Sequence, residues 1–214
     1  LSGTSFLVSS NANATASNTV LGTRYAFAAG NSGLVVGAGN NYVGTTYING
    51  AVAILNAPQN AITGDVVLNG GNNLGTDSLS INNVFLDLYR ANQIADTATV
   101  TLRGGVYFRT RGFNDTVANL VIESPGGTRD GFGSTVVTGA GTLRLTSNIT
   151  AQTLDDVSVP AWLGGNLWLP AATTVSVDTV KDTLVSGPSA ISGFNGQIGL
   201  GINANLVSPT TINK

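Results

Sequence analysis

The sequence predicts an all-β chain wound as a right-handed, single-stranded parallel β-helix, a solenoid with almost no α-helix. Three observations lead there. Short apolar runs with a period of two recur along the 214-residue chain. Clusters of Asn, Gly, Ser, Asp and Pro separate them, which is turn chemistry. The apolar pairs return at intervals close to one solenoid coil.

In chain order the first runs are Leu34-Val35-Val36, Val52-Ala53-Ile54, Val66-Val67-Leu68, Leu79-Ser80-Ile81, Leu86-Asp87-Leu88, Val100-Thr101-Leu102, Val106-Tyr107-Phe108 and Leu120-Val121-Ile122. Leu143-Arg144-Leu145, Leu167-Trp168-Leu169, Val175-Ser176-Val177 and Ile198-Gly199-Leu200 follow. Each carries apolar residues at i and i+2, the spacing of a half-buried strand. The nearest approach to a helix is Val84 to Ile94, where alternation again fits a strand. The strands should be about three to six residues long, with one inward pair each. Val100, Leu120, Leu143 and Leu167 stand 20, 23 and 24 residues apart, as coil openings should. A coil cannot bury its own aliphatic face, so it must stack on the next, about 4.8 Å away.

Composition narrows the function. Apolar residues make up 42% and charged ones 9%, against about 25% charged in an ordinary soluble domain. The surface must therefore be covered mainly by Asn, Thr, Ser, Gln and backbone, as in secreted repeat proteins and fibres. With a net charge of −2 and Lys181 and Lys214 as the only lysines, nucleic acid is not an expected partner. No basic amphipathic stretch or long apolar run points to direct membrane insertion. The chain contains no Cys, His or Met. That removes disulfides, thiolate or His-bearing metal sites and the usual catalytic triads. Leu1 is not a translation start, so a signal segment has been removed or the chain is part of a longer repetitive protein.

A long-range echo supports the second alternative. Asn41-Tyr42-Val43-Gly44-Thr45-Thr46-Tyr47-Ile48-Asn49 and Asn205-Leu206-Val207-Ser208-Pro209-Thr210-Thr211-Ile212-Asn213 share Asn, Val, Thr, Ile and Asn at an offset of 164 residues. Residues 1–214 then read as one β-helix domain in which 200–214 starts a further repeat. Leu1, Phe6, Val8, Val207 and Ile212 fall at its ends, where unpaired backbone could support self-association.

The segment Gly33 to Leu55 resembles the autotransporter-associated β-strand repeat. It reads Gly39-Asn40-Asn41-Tyr42-Val43-Gly44-Thr45-Thr46-Tyr47-Ile48-Asn49-Gly50-Ala51-Val52 between two apolar alternations, departing slightly between Gly39 and Tyr42. Ile94 to Leu102, Arg111 to Leu120 and Gly139 to Leu145 resemble later coils of such units. The resemblance covers residues 30–150 well and the C-terminal third loosely. It is specific for architecture and weak for activity. It implies an exported bacterial protein, extracellular or on the cell surface, with a stalk, adhesin or passenger role. Any translocator barrel would lie outside this chain.

Chemistry-bearing residues are few. A Ser–Lys pair would need Lys181 and Ser186, in a stretch that reads as a solvated turn. Asp155-Asp156 are strand neighbours and point apart. Asp87 and Asp115 with Arg103, Arg109 or Arg111 could form the cluster of a polysaccharide-active enzyme, the least favoured reading. The favoured one turns Arg109 and Arg111 outward on a strand and Phe108 inward. Gly70-Gly71-Asn72-Asn73-Leu74-Gly75-Thr76-Asp77 resembles one calcium-binding turn but lacks the tandem copies such sites need. No catalytic, metal or cofactor residue is expected. Trp162, Trp168 and Tyr107 are the candidate ligand contacts, for a glycan or a host or cell surface; Trp168, between inward Leu167 and Leu169, is expected to point outward, where an aromatic ring suits contact. A scaffold or adhesive role leads, and a self-assembling fibre subunit is the alternative.

Overall fold

The computed structural model describes residues 18–21, 34–36, 44–49, 52–69, 84–124, 134–153, 161–170, 173–177 and 200–207. These residues form fifteen β-strands and no helix: β1 (Asn18–Leu21), β2 (Leu34–Val36), β3 (Thr45–Asn49), β4 (Val52–Leu55), β5 (Val66–Asn69), β6 (Phe85–Leu88), β7 (Thr99–Arg103), β8 (Tyr107–Arg109), β9 (Asp115–Val117), β10 (Asn119–Ser124), β11 (Thr135–Leu145), β12 (Ile149–Thr153), β13 (Ala161–Trp168), β14 (Val175–Val177) and β15 (Leu200–Val207). They build two sheets, in the orders β1-β3-β5-β7-β10-β12-β14 and β15-β13-β11-β8-β6-β4-β2, with β9 also pairing β11. Each ladder between described strands is parallel. Apart from β8 and β9, consecutive strands lie in opposite sheets, and each strand inside an order pairs with the neighbour on either side of it.

Register turns the period-two pattern into columns. In the first sheet Ile48, Leu68, Leu102, Ile122 and Ala151 lie opposite one another, strand after strand. In the second sheet Ala53, Leu86, Phe108, Val136 and Leu163 do the same. All ten are buried, and both columns belong to one apolar core. The residues between them, such as Thr101, Tyr107 and Thr135, are half-buried and turn away from that core.

The corners hold this register through side chains that bond to the next coil. At the entry to the first sheet the Asp65 carboxylate accepts from the Thr99 amide at 2.7 Å. The Asn119 amide group donates to Thr99 Oγ1 at 3.2 Å, and its oxygen accepts from the Asn148 N–H at 3.3 Å. Asn148 in turn accepts from the Thr174 N–H at 3.1 Å. Asn and Asp serve here because their short polar arms reach a neighbouring backbone without leaving the turn. At the opposite corner Asn60 and Asn92 hold φ values of 47° and 55°, a left-handed conformation that Asn tolerates.

The spacing differs from the expected coil openings at one step. Val100 pairs with Leu120, and Leu143 pairs with Leu167, at the expected intervals. Leu120 pairs with Ile149, whereas Leu143 lies in the other sheet, opposite Asp115. The strands also exceed the expected length: β11 has 11 residues and β13 and β15 have 8 each. The cause is a stacked turn. β8 ends at Arg109, residues 110–114 turn outward, and β9 resumes; β11 matches both strands and carries Thr138 to Thr142 through the same detour. A Cβ on Gly141 would collide with the Phe113 carbonyl. Of the run Val84 to Ile94, Phe85–Leu88 is a strand and the chain bends from Tyr89 to Asn92; Val106 to Phe108 leads into β8, with Phe108 fully buried. Leu79-Ser80-Ile81 lies outside the described residues.

An inward and an outward neighbour on one strand should respond very differently. Leu102→Ala, in the middle of a column, should cost about 2–5 kcal/mol of stability, while Thr101→Ala should stay within about 0.5 kcal/mol. Urea unfolding of both variants checks this, and equal effects would contradict the facing assigned to β7.

Candidate functional site

The outer face of the second sheet gathers most of the side chains with chemical capacity. Register sets Phe85, Tyr107, Thr135 and Trp162 in one outward column across β6, β8, β11 and β13. The Phe85 and Tyr107 rings stack with centroids 5.0 Å apart and planes 17° apart. Two residues further along the strands stand Asp87, Arg109, Val137 and Gly164. Arg109 donates through Nε and Nη2 to both oxygens of Asp87, at 2.5 and 2.7 Å. Its guanidinium carbon also lies 4.3 Å from the centre of the Phe85 ring.

The stacked turn places the next cation. Arg111 holds a φ of 53° and Gly112 one of 91°, and the Phe113 N–H closes the turn onto the Thr110 carbonyl at 2.9 Å. From there Arg111 Nη1 reaches Asp87 Oδ2 at 3.3 Å, and the guanidinium lies 5.0 Å from the Tyr89 ring centre. The Asp87 side chain is only 5% exposed beneath its two arginines, whose side chains are 32% and 42% exposed. Beyond the turn Arg144 covers the ring of Trp168 at 3.9 Å. Thr138 and Asn166 brace the turn: the Asn166 N–H donates to Thr138 Oγ1 at 2.7 Å, and its side-chain amide faces the carbonyls of Gly139, Ala140 and Gly141.

All three aromatic candidates read from sequence lie on this face. Trp162 is 47% exposed, while Tyr107 and Trp168 are half-buried. Tyr107 and Trp162 share a column with Thr135 between them. Trp168 stands six residues further along β13 than Trp162, about 20 Å at strand rise. Val207 is exposed on β15. Leu1, Phe6, Val8, Ile212, Tyr42, Asp155, Asp156, Lys181, Ser186 and the Gly70–Asp77 turn lie outside the described residues.

The acidic cluster weighed from sequence divides into three. Asp87 joins Arg109 and Arg111. Arg103 is on the first sheet, paired with Glu123, whose hydrogen bond raises the arginine pKa further. Asp115 faces inward on β9 and is 2% exposed. Arg111 leaves the strand for the turn, because β8 stops at Arg109. Phe85, Tyr89 and Arg144 are the residues the sequence reading missed. Phe85-x-Asp87 and Tyr107-x-Arg109 repeat one aromatic–charge spacing at an offset of 22, a signal legible once the coil length is known.

Asp115 has a structural task. Its Oδ2 accepts from the Gln93 and Ile94 amides at 2.8 and 3.4 Å, and its Oδ1 from the Thr116 amide at 2.8 Å. Gln93 in turn bonds the Ala57 N–H and carbonyl at 2.8 and 2.9 Å. These side chains satisfy buried backbone where the coils do not pair strand to strand. Among the described residues no group of three acidic side chains could hold a metal ion.

Burial pushes the Asp115 carboxyl up to about 7, opposed by the amides of Gln93, Thr116 and Ile94 and aided by the charge of Asp96. The native state therefore holds this proton more tightly than the unfolded chain does. Its stabilisation is complete below the ordinary carboxylate range and is lost as pH rises to about 7, by up to roughly 4 kcal/mol. The melting temperature should fall between pH 5 and pH 8, and Asp115→Asn should flatten that fall. An unchanged slope in the variant would exclude Asp115 as its source.

No protein-family model matches the chain, and no curated protein or solved structure matches it either.

Proposed function

We propose that this chain is a stretch of a right-handed parallel β-helix. It works as an exported scaffold whose second sheet makes adhesive contacts, and it is not an enzyme. The observation that carries the reading is the alternation of parallel strands between two sheets around one apolar core. A chain that visits each sheet once per circuit and always pairs with the previous circuit is a solenoid. The right hand follows from the strong preference for right-handed crossovers between parallel strands of one sheet. The resemblance of residues 30–150 to the autotransporter-associated repeat supports an extracellular or cell-surface bacterial setting.

The chemistry favours contact over catalysis. Asp87 is paired with two arginines, and Asp115 is buried among backbone amides. Neither is placed as half of an acid–base couple acting on a sugar, which needs two accessible carboxyl groups within about 10 Å. Aromatic rings and guanidinium groups on a flat sheet instead offer an adhesive surface.

A fibre subunit is the second reading, and one observation favours it. The apolar columns run on to Val177 in β14 and to Ile202 and Leu206 in β15, opposite Ala151, Leu163 and Leu167. There they are 47%, 37% and 39% exposed. Another layer of strands, from the same chain or from a second copy, would cover them.

Negative-stain electron microscopy with light scattering at several concentrations separates the readings. Short monodisperse rods of constant width are expected for the scaffold. Filaments, or mass that grows with concentration, would put the fibre first, and compact round particles would overturn the solenoid.

A further inference from the structure

The charges on the outer face of the second sheet are arranged against the trend of the chain. The protein carries 11 acidic and 9 basic residues. On this face the described outward residues include Arg109, Arg111 and Arg144 but one carboxylate, Asp87. Each of the three guanidinium groups lies on an aromatic ring, at 4.3, 5.0 and 3.9 Å from its centre. Stacking fixes a guanidinium plane while leaving its edge N–H groups to bond elsewhere. Of five N–H donors per arginine, Asp87 accepts two from Arg109 and one from Arg111. Tyr89, under the Arg111 guanidinium, is 40% exposed, and Trp162, two strands from Arg109 on the same face, is 47% exposed. Around Trp162 the floor is Thr135, Val137 and Gly164, without charge.

From this arrangement we infer that the face binds an acidic polysaccharide, its sugar carboxylates on Arg109, Arg111 and Arg144 and its ring faces on Tyr89 and Trp162. The inference rests on the adhesive reading of this sheet and names its ligand class. The match is one of chemistry. A guanidinium fork takes a carboxylate through two parallel N–H bonds, and the C–H face of a pyranose packs against an aromatic ring. A peptide that adds as a strand would need a free edge, and β6, β8, β11 and β13 are paired on both sides; an acidic peptide held by the arginines alone is the competitor that polyglutamate tests. A nucleic acid would need a longer track of cations, since its affinity grows with the number of phosphates neutralised and three arginines neutralise few.

Calorimetric titration of the full chain with polygalacturonate oligosaccharides, set beside their methyl-esterified forms, tests the inference. The expected result is binding to the carboxylated oligomer that weakens as salt rises and falls by about tenfold in Arg144→Gln and in Arg111→Gln. Asp87 keeps its Arg109 partner in Arg111→Gln, so circular dichroism should stay unchanged in both variants, and Trp162→Ala should weaken binding as well. Equal binding of the esterified oligomer would overturn the acidic specificity and leave the adhesive face standing. Equal binding of duplex DNA or of polyglutamate would overturn it in favour of plain polyanion attraction. No binding to either oligosaccharide, from particles that are rods by microscopy, would remove the glycan and leave a bare scaffold.

Discussion

The rest of the structure depends on the parallel pairing of each strand with its neighbour in the same sheet in one fixed register. An inward strand position meets its equivalent about 4.8 Å away, so a column is apolar or it fails along its length. A slip of one residue would turn Leu102 to solvent and Thr101 into the core. The strands alone cannot prevent that slip, because several are only three or four residues long. The polar corners do so. Asp65, Thr99, Asn119, Asn148 and Thr174 form a chain of hydrogen bonds that runs along the stack and fixes where each strand of the first sheet begins. The abundance of Asn and Thr in so weakly charged a chain follows from this, since a corner that must bond both to itself and to its neighbour has no use for a long charged arm.

Where the coils change length, the same constraint produces the unusual features. Residues 110–114 leave the second sheet and return, and residues 138–142 of β11 copy the detour. In β13 the matching stretch shortens to Gly165, with Asn166 bridging to the turn below. Two positive-φ residues, Arg111 and Gly112, make the detour sharp. Asp115 resumes the strand, and its carboxylate serves backbone amides that have no strand opposite them. Its burial is a cost that the fold accepts at one place to keep the stack continuous, and the raised pKa is the sign of that cost.

The turn also makes the arginine surface. Without it Arg111 would point along a strand, out of reach of Asp87. With it, two guanidinium groups converge on one buried carboxylate while each covers a ring. Asp87 thereby acts as an anchor: it positions the cations and takes two donors of Arg109 and one of Arg111. Core and surface arise from one alternation, the inward half of each strand building the core and the outward half building columns of aromatic, threonine and charged side chains.

How much was legible in advance follows from the range of each interaction. Strand class, inward residues such as Leu86, Phe108 and Ile122, and the outward facing of Trp168 were legible, because alternation is a property of neighbours in the chain. The Val100–Leu120 and Leu143–Leu167 pairings were legible too, since their intervals match a coil. The step from Leu120 to Leu143 was not, because two strands of similar pattern can belong to different sheets, and only packing tells which. The joining of Asp87 to Arg109 and Arg111, the separation of Asp115 and Arg103 from them, and the seating of Arg144 on Trp168 were decided by register between coils 20 to 30 residues apart. The sequence by itself determined which side of a strand each residue takes, through local stereochemistry. Only the tertiary structure decided which residues became neighbours across coils, because a detour of a few residues in one turn resets every pairing that follows.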